Sequence, residues 1–397
     1  VGEGPARGSR RALTRAALIA AAFLGLSAAA VGCRDGEERA APRAAPVVAG
    51  RGPAVAADRR PCARQPAASP DFFTLMTAGR TDGWITADLP ASVDLRDGRV
   101  LWLFGDTWIG ARTPDRGIAP GARLWHNSAL LQTGGCVDLV NAGGDGWLTI
   151  AGTEEFWWPS GGFVPGGRRG QVIEVFVMRM RRTGPGVFDF TAVGADVVEL
   201  RRADLGVLAV RPLPHQDRAW ASSVVADGAW LYLFGRDYPA SPSAYVARAR
   251  AGDLFGRWQF WSGRRWSRDP ARAKPVLTYA PFNNPAMARL RDGRWLAIAK
   301  DREFDGASVI GWTARRPQGP WRATGPLAAA PTSGRPGEFT YLAAPHAEIA
   351  LPRSRILVSW NVNTRDASVV SLSDPVVASY GPRFAAISIP RDRGRTR

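Results

Sequence analysis

Lysine is all but missing from this chain, and histidine and cysteine are scarce. Lys274 and Lys300 are the two lysines among 52 basic residues, and there are three histidines and three cysteines. With no CxxC pair and no cluster of histidines, the composition argues against a structural zinc site. A phosphate-cradling glycine loop and a nucleophilic Ser-His-Asp set are likewise missing. Little reads as a long amphipathic helix, whereas 44 glycines and 31 prolines are enough to punctuate about twenty short strands.

Acid is also in short supply. The formal net charge is +17, and removing the four arginines and one glutamate of residues 1–32 lowers it to +14. Such a surface favours anionic lipid headgroups, acidic polysaccharide or nucleic acid, although an arginine bias in composition does not by itself specify a patch. Arg7, Arg10, Arg11 and Arg15 precede an uncharged run, Ala16 to Gly32, that is too short and too rich in alanine for a membrane span. The run ends in Ala30-Val31-Gly32-Cys33, similar to the lipobox of bacterial lipoproteins, so residues 1–33 read as an export segment with Cys33 as the lipidated anchor. Secretion after cleavage at a small residue is the alternative, and either route makes nucleic acid an unexpected partner. Residues 34–61 are Ala, Pro, Gly and Arg with almost nothing large and apolar, and read as a disordered tether. The folded unit is then 62–397, expected as a monomer. Within it Cys62 and Cys136 either form a disulfide in the oxidising compartment or remain two thiols.

What is abundant is a repeat. "DGRVLWLFGDTW" from Asp97, "DGAWLYLFGRDYP" from Asp227 and "DGRWLAIAKDREF" from Asp292 each run from a turn dipeptide through an apolar strand to a polar stop. "GQVIEVFVMRM" and "SRILVSWNVN" are weaker copies, and the five are spaced by 72, 58, 65 and 61 residues. A preceding apolar strand and two following ones give four strands per unit, joined at Asp-Gly hairpin turns. The fold class expected is all-β, a five-bladed β-propeller of four-stranded blades, with "DFFTLM" at 71–76 as the strand that closes the ring.

With "LWLFGDTW", an export signal and "GPW" in an outer strand, the chain resembles a family of exported propellers of unknown function that carry a Phe-Gly-Asp-Thr motif. That family is allied in fold to arabinanase, xylosidase and fructosidase propellers, and some members resembling it are endo-D-arabinanases. The resemblance spans roughly residues 70–390, with only the Phe-Gly-Asp-Thr block specific, and no sialidase-type Ser-x-Asp-x-Gly-x-x-Trp box is found. Propellers of the arabinanase kind hold a channel Ca²⁺, but one histidine and scattered asparagines give no readable ligand set here, so no metal or other cofactor is assigned.

Two-residue turns at each Asp-Gly predict which residues meet at one rim. Asp88 falls opposite Thr107, beside Asp106; Arg218 falls opposite Asp237; Asn283 and Asn284 fall opposite Arg302 and Asp301; His346 falls opposite Asn361; and Trp158 or Pro159 faces Met178 and Arg179. Loop acids Glu154, Glu155 and Glu338 overhang the same mouth, where Trp108, Trp157, Trp158 and Trp220 offer aromatic faces to sugar rings. Each has a plainer alternative: Asp106 as a turn acid, Asp237 as the ion partner of Arg218, the tryptophans as core.

Taken with the resemblance, this pattern points to a glycoside hydrolase acting on an envelope or environmental polysaccharide, and the resemblance implies arabinan-like furanosides as the first substrates. The chemistry requires one carboxylic acid to protonate the leaving oxygen and one carboxylate to activate water or attack. Asp88 and Asp106 are two of the expected acids, with Glu155 or Glu338 as proton donor, and the Asp88 and Asp106 carboxylates are expected within about 10 Å. The rival is a non-catalytic, glycan-binding surface lipoprotein, which needs the aromatics and the channel but not the acids.

Overall fold

The computed structural model describes residues 47–49, 72, 83–113, 118–140, 146–150, 153–186, 189–237, 242–279, 285–332, 334–352, 355–365 and 380–390. The export segment with Cys33, residue Cys62, residues 73–76, and Asn283 and Asn284 lie outside them. Cys136 is disulfide-bonded, to a partner also outside the described residues.

The chain is built of short antiparallel strands. The first, β1 (Val47–Ala49), is followed by β2 (Trp84–Ala87), β3 (Ala91–Asp94), β4 (Arg99–Phe104), β5 (Thr107–Ile109), β6 (Arg123–Trp125), β7 (Ser128–Thr133) and β8 (Cys136–Leu139). β3-β4-β7-β8 form a four-stranded sheet and β2-β5-β6 a smaller one. Val47–Ala49, inside the segment read as a tether, pairs instead with β9 (Leu148–Ile150); three apolar residues, two of them β-branched, suit an added strand. A second four-stranded sheet is β10 (Glu155–Phe163), β11 (Val172–Arg182), β12 (Phe190–Arg201) and β13 (Val207–Pro212). A third runs β14 (Ser223–Asp227), β15 (Trp230–Gly235), β16 (Ser243–Arg250), β17 (Gln259–Trp261), β18 (Trp266–Ser267), with β19 (Leu277–Thr278) beside β16. The fourth is β20 (Ala286–Arg289), β21 (Trp295–Lys300), β22 (Ser308–Ala314) and β23 (Arg322–Ala329). The last is β24 (Glu338–His346), β25 (Ile356–Thr364) and β26 (Gly381–Ile387).

The first strands of these sheets touch in turn: β3 meets β10, β10 meets β14, β14 meets β20, β20 meets β24, and β24 returns to β3. The sheets are therefore arrayed radially around a central channel, the arrangement of a β-propeller. The cores between sheets explain the uninterrupted apolar runs. In β4, Leu101 and Leu103 pack toward the second sheet, while Trp102 and Phe104 pack toward the last. In β15, Leu231 and Leu233 face the second sheet, and Tyr232 and Phe234 face the fourth. A strand covered on both sides needs apolar residues at every position, so the alternation of a half-exposed strand is lost.

The registers differ from the two-residue turn expectation, for reasons visible at the turns. Leu95 N donates to Arg99 O and Gly98 has φ +88°, so the loop is Arg96-Asp97-Gly98, three residues closing on a left-handed glycine. This moves the pairing by one: Ala87, not Asp88, lies opposite Thr107. The Arg291-Asp292-Gly293 turn does the same, pairing Ala286 with Ile298. At the third sheet the turn residues are Gly228-Ala229, but left-handed Ala221 (φ +64°) restores the count, and Ala219 N bonds Arg236 O. His346 is opposite Leu357 and Asn361 opposite Tyr341, a pairing whose last rung is too widely spaced along the chain for a tight turn. Trp158 faces Met178 as expected.

Candidate functional site

Each first strand starts at the same channel mouth and each second strand returns there, so the residues just after β4, β15 and β21 collect on one rim. Backbone strain marks that rim. Leu89 (φ +50°) and Ala221 (φ +64°) are left-handed just before β3 and β14, Leu342 (φ +46°) is left-handed at the register shift inside β24, and Arg302 (φ +43°) and Glu303 (φ +54°) follow β21. Non-glycine residues hold such conformations only where their surroundings impose them, most often at functional sites.

The Phe-Gly-Asp-Thr block is built residue by residue. Phe104 is fully buried in the core shared with the last sheet. Gly105 N donates to Asp88 O at 3.0 Å, and Asp88 N donates to Asp106 O at 3.1 Å, so the two acids are locked side by side by the main chain. A Cβ on Gly105 would lie 2.7 Å from Asp88 Oδ1, which is why this position is glycine. Thr107 Oγ1 is 2.8 Å from both Gly105 O and Ser128 Oγ and pins the turn from below. Asp106 is thereby held behind Trp158, which lines the channel, its Oδ1 accepting from Trp158 Nε1 at 2.9 Å and lying 3.4 Å from His126 Nδ1. It is not a backbone turn acid.

Asp88 is 8% exposed. Its Oδ2 accepts from Tyr341 Oη at 2.7 Å, while Oδ1 has no hydrogen-bond partner. Burial, and then the adjacent Asp106 charge, push the Asp88 carboxyl up to about 8, against the opposing pull of the Tyr341 hydrogen bond. Tyr380 Oη donates to Asp106 O, completing a cage of two tyrosines around two acids.

The channel, about 540 Å³, is lined near this mouth by Leu89, Trp158, Met178, Phe190, Arg236 and Glu303. Asp88 itself is behind that lining, and Asp106 reaches it through Trp158. Glu303 is 9% exposed, and burial raises its carboxyl to about 7 although Arg236 opposes the shift. The turn that carries it is held by buried Lys300, whose Nζ donates to Gly306 O and whose own pKa falls to about 8 on burial. Sequence reasoning missed Glu303, Tyr341, Tyr380 and His126. The acid stop in "AIAKDREF" was the available signal for Glu303, displaced by the two left-handed residues.

Other expected site residues are placed differently. Glu155 and Glu338 are the first residues of β10 and β24 rather than loop acids; Glu155 is ion-paired with Arg181 and lies 3.7 Å from Arg179 Nε, and Glu338 Oε2 accepts from Arg335 N. Arg218 Nε donates to Asp237 Oδ1 at 2.6 Å, and Tyr245 Oη donates to the other oxygen. Trp108 packs with Ile85, Ile118 and Tyr380. Trp220, 2% exposed, belongs to the core between the second and third sheets, and Trp157 Nε1 is tied to Asp196. Asn361 is fully buried; its Oδ1 accepts from Leu89 N and its Nδ2 donates to Leu342 O, so it holds the two left-handed residues. His346 is fully buried deeper in the wall, against Trp102, with one ring nitrogen facing Ser92 Oγ and the other Ser359 Oγ. Burial lowers its pKa to about 3 and keeps the ring neutral. Ser92 also donates to Glu348, pushed up to about 8 by burial in the channel. Ser92, Asp94 and Glu348 fall short of the about six to eight oxygens of a Ca²⁺ site, and both His346 nitrogens are already turned to hydroxyls.

A family model described as "Domain of unknown function (DUF5005)" matches residues 71–388. The chain belongs to this family. Among curated proteins, notoamide biosynthesis cluster protein J' of Aspergillus versicolor is 24% identical over 264 residues, covering 62% of this chain and 72% of that protein. A solved structure described as a "putative hydrolase" from Bacteroides ovatus superposes with a TM-score of 0.63 at 16% identity, covering 80% of this chain and 88% of that one. The α-L-arabinofuranosidase of Podospora anserina, in complex with cellotriose, gives a TM-score of 0.44 at 13% identity over 78% of this chain and 92% of that one.

Proposed function

We propose that this DUF5005 chain is an exported glycoside hydrolase with a five-bladed propeller fold, anchored through Cys33, that cuts a polysaccharide at the channel mouth. The observation that carries this reading is the main-chain lock that sets Asp88 beside Asp106, with Asp88 buried and enclosed by Tyr341 and Tyr380. Glycoside hydrolysis asks for one carboxyl group to act at the anomeric centre and another to supply a proton, and Asp106 and Glu303 take those two parts, with Asp88 supporting Asp106.

In this mechanism Asp106, oriented by Trp158 and His126, presents a carboxylate to the anomeric carbon or to its attacking water. Glu303 gives its proton to the departing glycosidic oxygen and, with a carboxyl raised to about 7, still holds that proton near neutral pH. Asp88 keeps its own proton beneath Asp106, and Tyr341 fixes the direction of its carboxyl. Glu155 is less suited to proton donation because two guanidiniums already engage it. Trp158 and Phe190, 4.8 Å apart edge to face, supply the aromatic wall for a sugar ring.

The test is turnover of a polysaccharide panel that begins with arabinan-like furanosides. Reducing ends are expected from wild type, with losses of about 10²–10⁴-fold in Asp106→Asn and Glu303→Gln. Glycan binding by both wild type and Asp106→Asn, with no product from wild type, would instead establish a non-catalytic binding propeller.

A further inference from the structure

The outer edge of the third sheet carries a second arrangement, far from the acids. Between Arg257 and Lys274 the chain has six basic residues against one acid. The hairpin formed by β17 and β18 lifts Arg264 and Arg265 into solvent at its tip. Beside it, side chains from β15, β16 and β18 stack in alternation. Arg248 Cζ lies 4.3 Å from the Trp266 ring centre and 4.0 Å from that of Trp230, and Arg250 Cζ lies 4.2 Å from Trp230. The order is therefore Trp266, Arg248, Trp230, Arg250: indole, guanidinium, indole, guanidinium. The indoles are half-buried at the margin of the core shared with the fourth sheet, which fixes the row to a rigid support.

This construction selects for a ligand. A guanidinium stacked on an indole keeps its charge and offers its N–H edge, in fixed orientation, to carboxylate, sulfate or phosphate oxygens. The nearby acids leave that capacity largely intact, since Asp269 pairs with Arg272 and Asp253 sits in the turn after Arg250; Arg248 already donates its Nε to Gln259 Oε1 at 2.8 Å, so the exposed Arg250 presents the freer edge of the two. Because guanidiniums lie against both indoles, the row offers little aromatic face to a neutral sugar or an unstacked base. Nor is there an apolar wedge for a bilayer, since Leu208 is the one strongly exposed large hydrophobic among the described residues and lies on β13 of another sheet.

We infer that this edge docks an acidic polysaccharide, holding its anionic groups along Arg250, Arg248, Arg264 and Arg265. The choice of a glycan over other polyanions rests on the hydrolase reading; the anion chemistry does not. The docked polymer is the substrate class itself or a strand attached to it, held while the mouth works elsewhere on the chain.

The experiment uses the whole chain carrying Asp106→Asn, so that nothing is consumed, with polygalacturonate, neutral dextran, duplex DNA and phosphatidylglycerol vesicles as probes. Polygalacturonate is expected to bind, to weaken steeply as salt rises, and to lose at least about tenfold in affinity with Arg264→Glu/Arg265→Glu. Those two positions are exposed, so the variant keeps its melting temperature; Arg248→Gln/Arg250→Gln should lower affinity further. The inference is overturned if neither pair changes polygalacturonate affinity, or if DNA or vesicles bind through the same arginines more tightly than polygalacturonate does. If wild type cleaves no glycan and polygalacturonate still binds through these arginines, the hydrolase reading falls and the docking edge stands.

Discussion

Gly105 shows how much of the site hangs on a missing side chain. Its neighbour across the turn is a carboxyl oxygen, and an added methyl group would stand 2.7 Å from Asp88 Oδ1 and 2.8 Å from Leu89 Cδ1. Gly105→Ala is expected to cost about 1–3 kcal/mol in chemical denaturation and to remove turnover, because Asp88 and Leu89 must both shift to admit it. Asp88 makes a second claim at this scale, through its proton. Its carboxyl is raised in the folded chain, so above about pH 4 the native state holds a proton that the unfolded chain has released. Stability from this group is therefore present at low pH and lost as pH rises toward about 8. Asp88→Asn, a neutral stand-in for the protonated acid, should keep much of the turnover and gain on wild type in melting temperature between pH 5 and pH 9, by on the order of 2 °C. Parallel melting curves across that range would mean that Asp88 does not hold the proton assigned to it.

At the scale of elements, the rim is made by strands that bend rather than by loops that drape over it. Asn361 on β25 fastens two of those bends, at Leu89 and Leu342. Asn361→Leu leaves the part-buried Leu89 N–H and Leu342 carbonyl without their partner. A cost of about 1–3 kcal/mol is expected, with a fall in turnover because Leu89 adjoins Asp88. Unchanged turnover in a folded variant would detach the bend from the chemistry. These bends also set the limit of what the sequence makes legible. The apolar runs at Val100–Phe104, Leu231–Phe234 and Leu296–Ala299 announce strands buried on both faces, and the polar stops after them locate the rim. The Asp-Gly dipeptide, however, serves a three-residue turn as well as a two-residue one, since both need a left-handed glycine. Hence the dipeptide alone puts Asp88 one residue from its true pairing while still bringing it to Asp106. The register of His346 is further from a tight-turn reading, because nothing in "APHAEIALPRSR" marks where β24 ends. Asn361 reads as a rim asparagine, yet its amide is spent on backbone held in an uncommon conformation, and propensity does not reveal such conformations in advance.

The whole molecule is a ring in which every sheet shares its core with two neighbours, so the joint between the first and last sheets bears on all the others. Phe72 sits at that joint, fully buried, with its ring centre 6.3 Å from that of Trp102 and 6.1 Å from that of Phe384. Trp102 belongs to the first sheet and Phe384 to the last, so a residue that precedes both in the chain packs them together. Phe72→Ala removes that filling and is expected to cost about 3–5 kcal/mol, seen as a lower urea midpoint with an unchanged slope. Because the cores are continuous around the ring, opening one joint exposes apolar faces on both sides of it. Tryptophan fluorescence and far-ultraviolet circular dichroism should therefore still report a single coincident transition. A variant in which fluorescence changes well before circular dichroism would show sheets that melt independently, and the ring would then be a chain of separate units rather than one cooperative fold.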